Sequence, residues 1–161
     1  MSGGGVAPLL VLGIGNSERG DDAAGRETAR LLRGTLPADV AVEEHEGEAM
    51  ALVARLDGVA VAYLVDASVS GAPPGTIRRF DAAASPLPQR EFGLSTHGFG
   101  LGSAVELARA LGRLPLRCIV YAVEGASFEP GAGLSPAVAR AVAVVAARLA
   151  AEIIGKGGER A

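Results

Sequence analysis

The stretch Leu9-Leu-Val-Leu-Gly13-Ile-Gly15-Asn16-Ser-Glu-Arg-Gly20-Asp21-Asp22 decides the fold, because it passes from an apolar segment through a glycine-rich turn to two carboxylates. The continuous apolar run 9–12 ends at a glycine, as the buried strands of parallel sheets do. Segment 23–33 follows with a helical pattern and closes at Gly34, a typical helix stop. The chain therefore opens with a strand, an acidic loop and a helix.

The same alternation continues along the chain. Apolar runs and turn residues predict further strands at 40–43, 59–65, 76–80 and 117–123, and helices at 49–56, 100–111 and from 136 onward. Segment 81–96 has little periodicity and predicts a long loop, while the polar residues 155–161 predict a frayed tail. Strands that alternate with helices indicate one α/β domain over 1–161, with a parallel sheet and helices on both faces.

The composition excludes several classes of protein. The 161 residues carry a net charge of −3, which opposes binding to nucleic acid. The single Cys118 lies in an apolar run and is expected in the core, without a disulfide. The start of the chain has no basic segment of a signal peptide, and charged residues interrupt the longest apolar stretch, 138–154. We therefore expect a cytoplasmic protein that does not enter the membrane.

The glycine loop suggests either a phosphate site or a metal site. Gly13 and Gly15 match the start of the dinucleotide pattern G-x-G-x-x-G, but Glu18 occupies the third glycine position. Asp21 and Asp22 stand where a helix N-terminus would attract phosphate, and their charges would repel it. A divalent cation suits the two carboxylates better. The alternative that Asp22 merely caps the following helix stays open.

Two further residues are candidates for the same site. Asp66 follows the predicted strand 59–65, so it and Asp22 are expected at the same edge of the sheet, outside the carboxyl ends of the strands. His97 lies in a loop whose glycines, Gly98 and Gly100, free the backbone to approach a crevice. Two carboxylates and an imidazole form a mixed site for nickel, zinc, manganese or iron. An ordinary turn aspartate and a surface histidine remain the alternatives.

Four motifs, in order along nearly the whole chain, resemble those of the hydrogenase maturation endopeptidases, which process the large subunit of nickel–iron hydrogenases. They are Gly13-Ile-Gly15-Asn16…Gly20-Asp21-Asp22, Leu64-Val-Asp66-Ala67, Ser95-Thr96-His97-Gly98-Phe99-Gly100-Leu101, and the stretch from Glu124 to Pro136. The resemblance implies a three-layer α/β/α fold with a mostly parallel twisted sheet, phosphorylase/hydrolase-like. It also implies that Asp22, Asp66 and His97 are the metal-binding positions.

The resemblance further implies an activity. Members of this family remove a short C-terminal extension from the large-subunit precursor after nickel insertion, so the nickel would be supplied by the substrate and no tightly bound organic cofactor is expected. A metal with open positions can polarise the scissile carbonyl and activate water. Asp21 is a candidate general base. Whether the mechanism is of the aspartic type or driven by the metal stays open. The expected partner is the precursor, and the expected enzyme is a monomer.

The sequence also departs from the family pattern. Acidic residues fill segment 43–48, where a more neutral loop is usual, and this changes the expected recognition of the substrate tail. The first loop carries Glu18-Arg19 where an apolar residue is common in the family. His45, within the acidic segment, is expected to be exposed and not a ligand. Two alternative functions are a non-catalytic metal- or peptide-binding module and a nucleotide-binding Rossmann-like protein, the latter disfavoured by the acids of the first loop.

Overall fold

The computed structural model describes residues 9–92 and 100–160, with only the backbone described for 89, 90 and 156–160. These residues form five strands and four α-helices. In chain order they are β1 (Leu9–Ile14), α1 (Ala24–Leu32), β2 (Val40–His45), α2 (Ala49–Leu56), β3 (Val61–Ser68), β4 (Ile77–Asp81), α3 (Leu101–Ala110), β5 (Arg117–Glu124) and α4 (Pro136–Arg160). Two short 3₁₀ helices, Gly20–Ala23 and Gln89–Phe92, precede α1 and α3.

The five strands form one sheet in the order β2-β1-β3-β5-β4. The first four are parallel, and β4 runs antiparallel to β5 at one edge. The chain moves from β1 outward to β2 and then returns across β1 to β3, so the strand order reverses between β1 and β3. A crevice opens at such a reversal, outside the carboxyl ends of the strands, and ligands bind there in this class of sheet.

Alternate residues of each central strand face opposite layers of helices. On β1, Leu10 and Leu12 pack in the core on the side of α2 and α3, whereas Val11 packs in the core on the side of α1 and α4. Cys118 is buried in the first of these cores, as predicted. The predicted three-layer α/β/α arrangement with a mostly parallel sheet is confirmed.

Several predicted element bounds are wrong by a few residues. The third strand was predicted at 59–65, but β3 runs from Val61 to Ser68, so Asp66 lies within the strand and not after it. Pairing explains the extension, because β3 stays hydrogen-bonded to β5 as far as Ser68 opposite Glu124. β1 and β2 likewise continue together, to Ile14 opposite His45. The length of an apolar run therefore underestimates the length of a strand whose polar last residues are still hydrogen-bonded to a neighbouring strand.

Two irregular segments are more ordered than the sequence suggests. The described part of the predicted loop 81–96 contains the short helix Gln89–Phe92, and 93–96 lie outside the described residues. The backbone of α4 continues through the predicted tail as far as Arg160. Each added helical residue gains a hydrogen bond, and segment 155–160 has glycines but no proline to stop the helix. Within the described part of the chain, no helix is both long and apolar enough to cross a membrane.

Two glycines allow α1 to lie directly against the sheet. A Cβ atom on Gly25 would overlap the carbonyl oxygens of Val65 and Ile14, and one on Gly13 would overlap the carbonyl oxygen of Gly25. The backbone of α1 therefore touches the backbones of β1 and β3 without a side chain between them. This contact holds the start of α1, and the acids just before it, at the crevice between the two strands.

Glu44 on β2 fixes α1 from the side. Its carboxylate pairs with Arg26, Arg30 and Arg33, which lie on one face of α1 and in the residue after it, with N–O distances of 2.9, 3.0 and 2.7 Å. The Glu44 side chain is 13% exposed. Hydrogen bonding to Arg30, opposed by burial and reinforced by the other two arginines, lowers the pKa of Glu44 to about 2.

Gly25→Ala should lower the free energy of unfolding by at least about 2 kcal/mol, because the new methyl group must push α1 away from β1 and β3. Chemical denaturation measures the loss. Gly155→Ala in α4 is the matched control, since a Cβ there meets no atom within 4 Å. The control should be neutral or more stable by up to about 1 kcal/mol. Equal effects of the two substitutions would refute the close contact.

Glu44→Gln should lower the free energy of unfolding by roughly 1–2 kcal/mol at pH 7. This value allows for screening of the arginines by solvent. Because folding lowers the Glu44 pKa, its contribution is complete above the ordinary pKa of 4.5 and disappears as the pH falls towards 2. Chemical denaturation should show that the free energies of unfolding of the wild type and of Glu44→Gln converge as the pH falls from 7 to 2. Glu43→Gln breaks the more exposed pair with Arg55 and should cost less than about 1 kcal/mol. A pH-independent difference for Glu44→Gln would contradict the assignment.

Candidate active site

A cavity of about 450 Å³ lies outside the carboxyl ends of β1 and β3. Its walls are the glycine loop after β1, the loop after β2, the end of β3, Phe92 and the start of α3. Asp22 and Asp66 both line it, so the structure brings together the two acids that the sequence placed at this edge. His97, the third predicted ligand, lies outside the described residues.

Asp22 belongs to the short helix Gly20–Ala23, which leads directly into α1. Its Oδ2 atom accepts a hydrogen bond of 3.0 Å from the amide of Asn16, across the glycine loop. Within the described residues no side chain caps α1, whose cap position is Ala23, so the interpretation of Asp22 as a helix cap is wrong. Burial raises the pKa of Asp22, although the Asn16 amide and the charge of Arg19 oppose the change.

Asp66 is the more buried of the two acids, with 7% of its surface exposed. Its Oδ1 atom accepts a hydrogen bond of 2.8 Å from the amide of Ala67. Burial, and then the negative charge of Asp22, raise the pKa of Asp66 well above its ordinary value. Two carboxylates that disfavour each other's ionisation in one cavity are stabilised by a bound cation or by a shared proton.

Asp21 points the other way. Its carboxylate is fully buried and accepts hydrogen bonds from the amides of Ala126, Ser127 and Ser135, at 2.7, 3.0 and 2.8 Å. The Ser135 hydroxyl also donates to it. Burial alone would raise the pKa of Asp21, but these hydrogen bonds together lower it. Asp21 therefore anchors the glycine loop to the β5–α4 loop and does not face the cavity, contrary to the prediction of a general base.

The contact between Asp21 and the β5–α4 loop is only indirectly indicated by the sequence. Ser127 and Ser135 lie in the fourth motif, more than a hundred residues after Asp21, and their spacing says nothing about which acid they contact. The structure also packs the two loops closely, because a Cβ on Gly20 would meet the Ser127 carbonyl oxygen at 2.5 Å. Gly20 has a φ of +57°, which favours glycine.

The acidic segment 43–48 divides into two parts. Glu43 and Glu44 lie on β2 and pair with arginines, whereas Glu46 and Glu48 line the cavity. The Glu48 carboxylate caps α2, with a hydrogen bond of 2.6 Å from the amide of Met50. The prediction that His45 is exposed is wrong, because it is half-buried and its Nδ1 accepts a hydrogen bond from the amide of Gly47. Burial lowers the pKa of His45.

The described residues alone do not complete a metal site. Asp22 and Asp66 supply two oxygen-bearing side chains, and no group of three His, Cys, Asp or Glu side chains suited to a metal occurs in ranges 9–92 and 100–160. Carboxylates are among the donors that divalent metals take, and a metal placed here would need further ligands from elsewhere.

Comparisons with known proteins identify the family to which the chain belongs. The HycI family of hydrogenase maturation proteases matches residues 39–152. The chain belongs to the hydrogenase maturation protease family, and it is accordingly a peptidase. Family membership thus favours an enzyme over a non-catalytic binding module on the same scaffold. No curated protein matches the chain.

Solved structures show the same fold. The hydrogenase maturating endopeptidase HybD from E. coli has a TM-score of 0.75 and 26% sequence identity, covering 93% of this chain and 94% of that one. An endopeptidase from Escherichia coli has a TM-score of 0.79 at the same identity and coverage. The [NiFe] hydrogenase maturation protease HycI from Thermococcus kodakarensis has a TM-score of 0.70 and 22% identity, covering 89% and 90%. The resemblance found in the four motifs is confirmed.

Asp21→Ala should lower the free energy of unfolding by roughly 2–4 kcal/mol, because the substitution leaves three partly buried backbone amides without their acceptor. Asp81→Ala is the matched control, since Asp81 also accepts from two amides, those of Ala83 and Ala84, but in an exposed turn. The control should lose about 1 kcal/mol, as measured by chemical denaturation. Similar losses for both substitutions would contradict the anchoring role.

Proposed function

We propose that this peptidase removes the C-terminal extension of a nickel–iron hydrogenase large-subunit precursor after nickel insertion. In this proposal Asp22, Asp66 and His97 bind the nickel that the substrate carries. The observation that supports it most is the shared cavity, where two carboxylates with raised pKa values face one space at the strand-order reversal. A cation placed there would favour the ionised form of both acids.

The donor set fits a substrate-borne metal. Carboxylate and imidazole ligands suit nickel, and the precursor would supply the remaining ligands, so the peptidase needs no resident metal or organic cofactor. Recognition of nickel would also make cleavage of the precursor wait until nickel has been inserted. A precursor without nickel would lack the group that binds Asp22 and Asp66, and it would remain uncut.

Two routes to peptide cleavage use the same residues. In the metal route, Asp22 and Asp66 would hold the nickel, which would supply Lewis-acid chemistry to the scissile carbonyl and to the attacking water. In the aspartic-type route, the raised pKa values let Asp22 and Asp66 share one proton, and the ionised carboxylate accepts a proton from the attacking water. Asp21 takes part in neither route, because its oxygens are bound to the β5–α4 loop.

The proposal extends to the setting of the reaction. The large-subunit precursor is the macromolecular partner, and the enzyme acts as a monomer in the cytoplasm. The net charge of −3 opposes a nucleic-acid partner. Glu46 and Glu48 at the cavity rim would meet the part of the precursor next to the scissile bond.

Asp22→Asn, Asp66→Asn and His97→Ala should each slow processing of nickel-loaded precursor by at least about 100-fold, since each removes a group that acts on the reacting centre. Mass spectrometry of the precursor measures the loss of the extension. Asp57→Asn is the control, because Asp57 is an exposed carboxylate outside the cavity. The nickel-free precursor should stay uncut by the wild-type enzyme. Equal cleavage of nickel-free and nickel-loaded precursor would refute nickel recognition, and full activity of any of the three variants would remove that residue from the site.

A further inference from the structure

An ion pair joins β4 to the short helix Gln89–Phe92. Arg78 lies on β4 opposite Ala122 of β5, and its guanidinium contacts the Glu91 carboxylate. The two side chains are only 28% and 26% exposed, so solvent screens the pair less than it would a surface pair. The same guanidinium lies 3.4 Å from the Ser68 hydroxyl, at the end of β3.

The helix is also held by the strand that carries Asp66. The amide of Val69, three residues after Asp66, donates a hydrogen bond of 3.0 Å to the carbonyl oxygen of Glu91. Glu124 fixes this part of the chain in turn, because its buried carboxylate accepts hydrogen bonds from Ser70 and Gly71. Glu91 is therefore attached on one side by its side chain and on the other by its backbone.

Aromatic contacts connect the Arg78–Glu91 ion pair to the wall of the cavity. The Arg78 guanidinium lies over the ring of Phe80, 5.2 Å from its centroid. Phe80 in turn makes an edge-to-face contact with Phe92, with the ring centroids 6.0 Å apart. Phe92 is 2% exposed and lines the cavity together with Asp22 and Asp66. The residue that follows Glu91 is thus part of the candidate active site.

A helix of four residues cannot hold its place alone. Its first turn costs more conformational entropy than its hydrogen bonds return, so its position depends on the contacts that tether it. Here those contacts are the Arg78–Glu91 ion pair, the Val69 hydrogen bond and the Phe80–Phe92 contact.

We propose that Arg78 and Glu91 are positioning residues for the peptidase reaction. The pair holds the helix Gln89–Phe92 so that Phe92 forms the cavity wall beside Asp22 and Asp66. This inference rests on the proposed function, because it concerns the geometry of the same site. Neither Arg78 nor Glu91 lines the cavity, and each acts through Phe92.

The test measures precursor processing by Arg78→Gln and Glu91→Gln. Each should lower kcat by about 10- to 100-fold with a smaller change in KM, because displaced reacting groups lose rate more than binding. Arg79→Gln is the matched control on the same strand, since Arg79 pairs with Glu152 of α4 at 2.6 Å on the opposite face of the sheet. The control should keep the wild-type kcat while losing a similar amount of thermal stability.

Exchanging the charges distinguishes positioning from loss of folding. The single variants Arg78→Glu and Glu91→Arg each place two like charges side by side. The double variant restores the attraction, so its kcat should be at least about threefold higher than that of the less active single variant. Wild-type kcat in both Gln variants would overturn the proposal. So would a fall in kcat that matches the fraction of unfolded protein.

Hydrogen exchange provides a readout that does not depend on the substrate. The Val69 amide should exchange faster in Glu91→Gln than in wild type and should be unchanged in Arg79→Gln. Unchanged exchange in Glu91→Gln would refute the tether. If the wild-type enzyme fails to process the precursor, the proposed function fails, while the exchange result still reports on the tether by itself.

Discussion

The structure depends on one buried carboxylate, that of Asp21. The Asp21 carboxylate accepts hydrogen bonds from the backbone amides of Ala126, Ser127 and Ser135, all in the loop between β5 and α4. It therefore joins the first loop of the chain to the last one before α4. Asp22 is the next residue of the same 3₁₀ helix, where successive side chains point about 120° apart, so fixing Asp21 leaves Asp22 to point in a different direction, into the cavity. The adjacent acids thus have separate tasks: Asp21 builds the loop, and Asp22 presents a charge to the site. The opposite changes in their pKa values reflect this division.

Acidic side chains outnumber basic ones in the lining of the cavity, which has two arginines, Arg19 and Arg26, and the carboxylates of Glu18, Asp22, Glu46, Glu48 and Asp66. The arginines of α1 are engaged by Glu44, and Arg55 is engaged by Glu43, so the acids that support the fold have partners. Asp66 has only the Ala67 amide within the described residues, and burial penalises its ionised form. Such a site is less stable than a neutral one, and it gains most when a positive centre enters. That imbalance is the physical basis for proposing a substrate that carries a metal.

Much of this arrangement follows from local sequence patterns. The apolar run at 9–12 predicted β1, and the rule that parallel strands align their carboxyl ends placed Asp22 and Asp66 together. What the sequence could not provide depends on distant partners. The role of Asp21 is set by residues 105 to 114 positions away, and the length of β3 is set by its pairing with β5. The place of His45 at the end of β2 is likewise set by its pairing with Ile14 of β1.

The position of β4 at the end of the sheet has a consequence for the protein in concentrated solution. An edge strand offers unpaired backbone groups to any other extended chain and invites aggregation. β4 carries Arg78 and Arg79 in succession, and their ion pairs lie on opposite faces of the sheet. A second strand approaching this edge would meet fixed guanidinium groups above and below it. The residues that fasten β4 to its neighbours therefore also discourage one copy of the protein from extending the sheet of another.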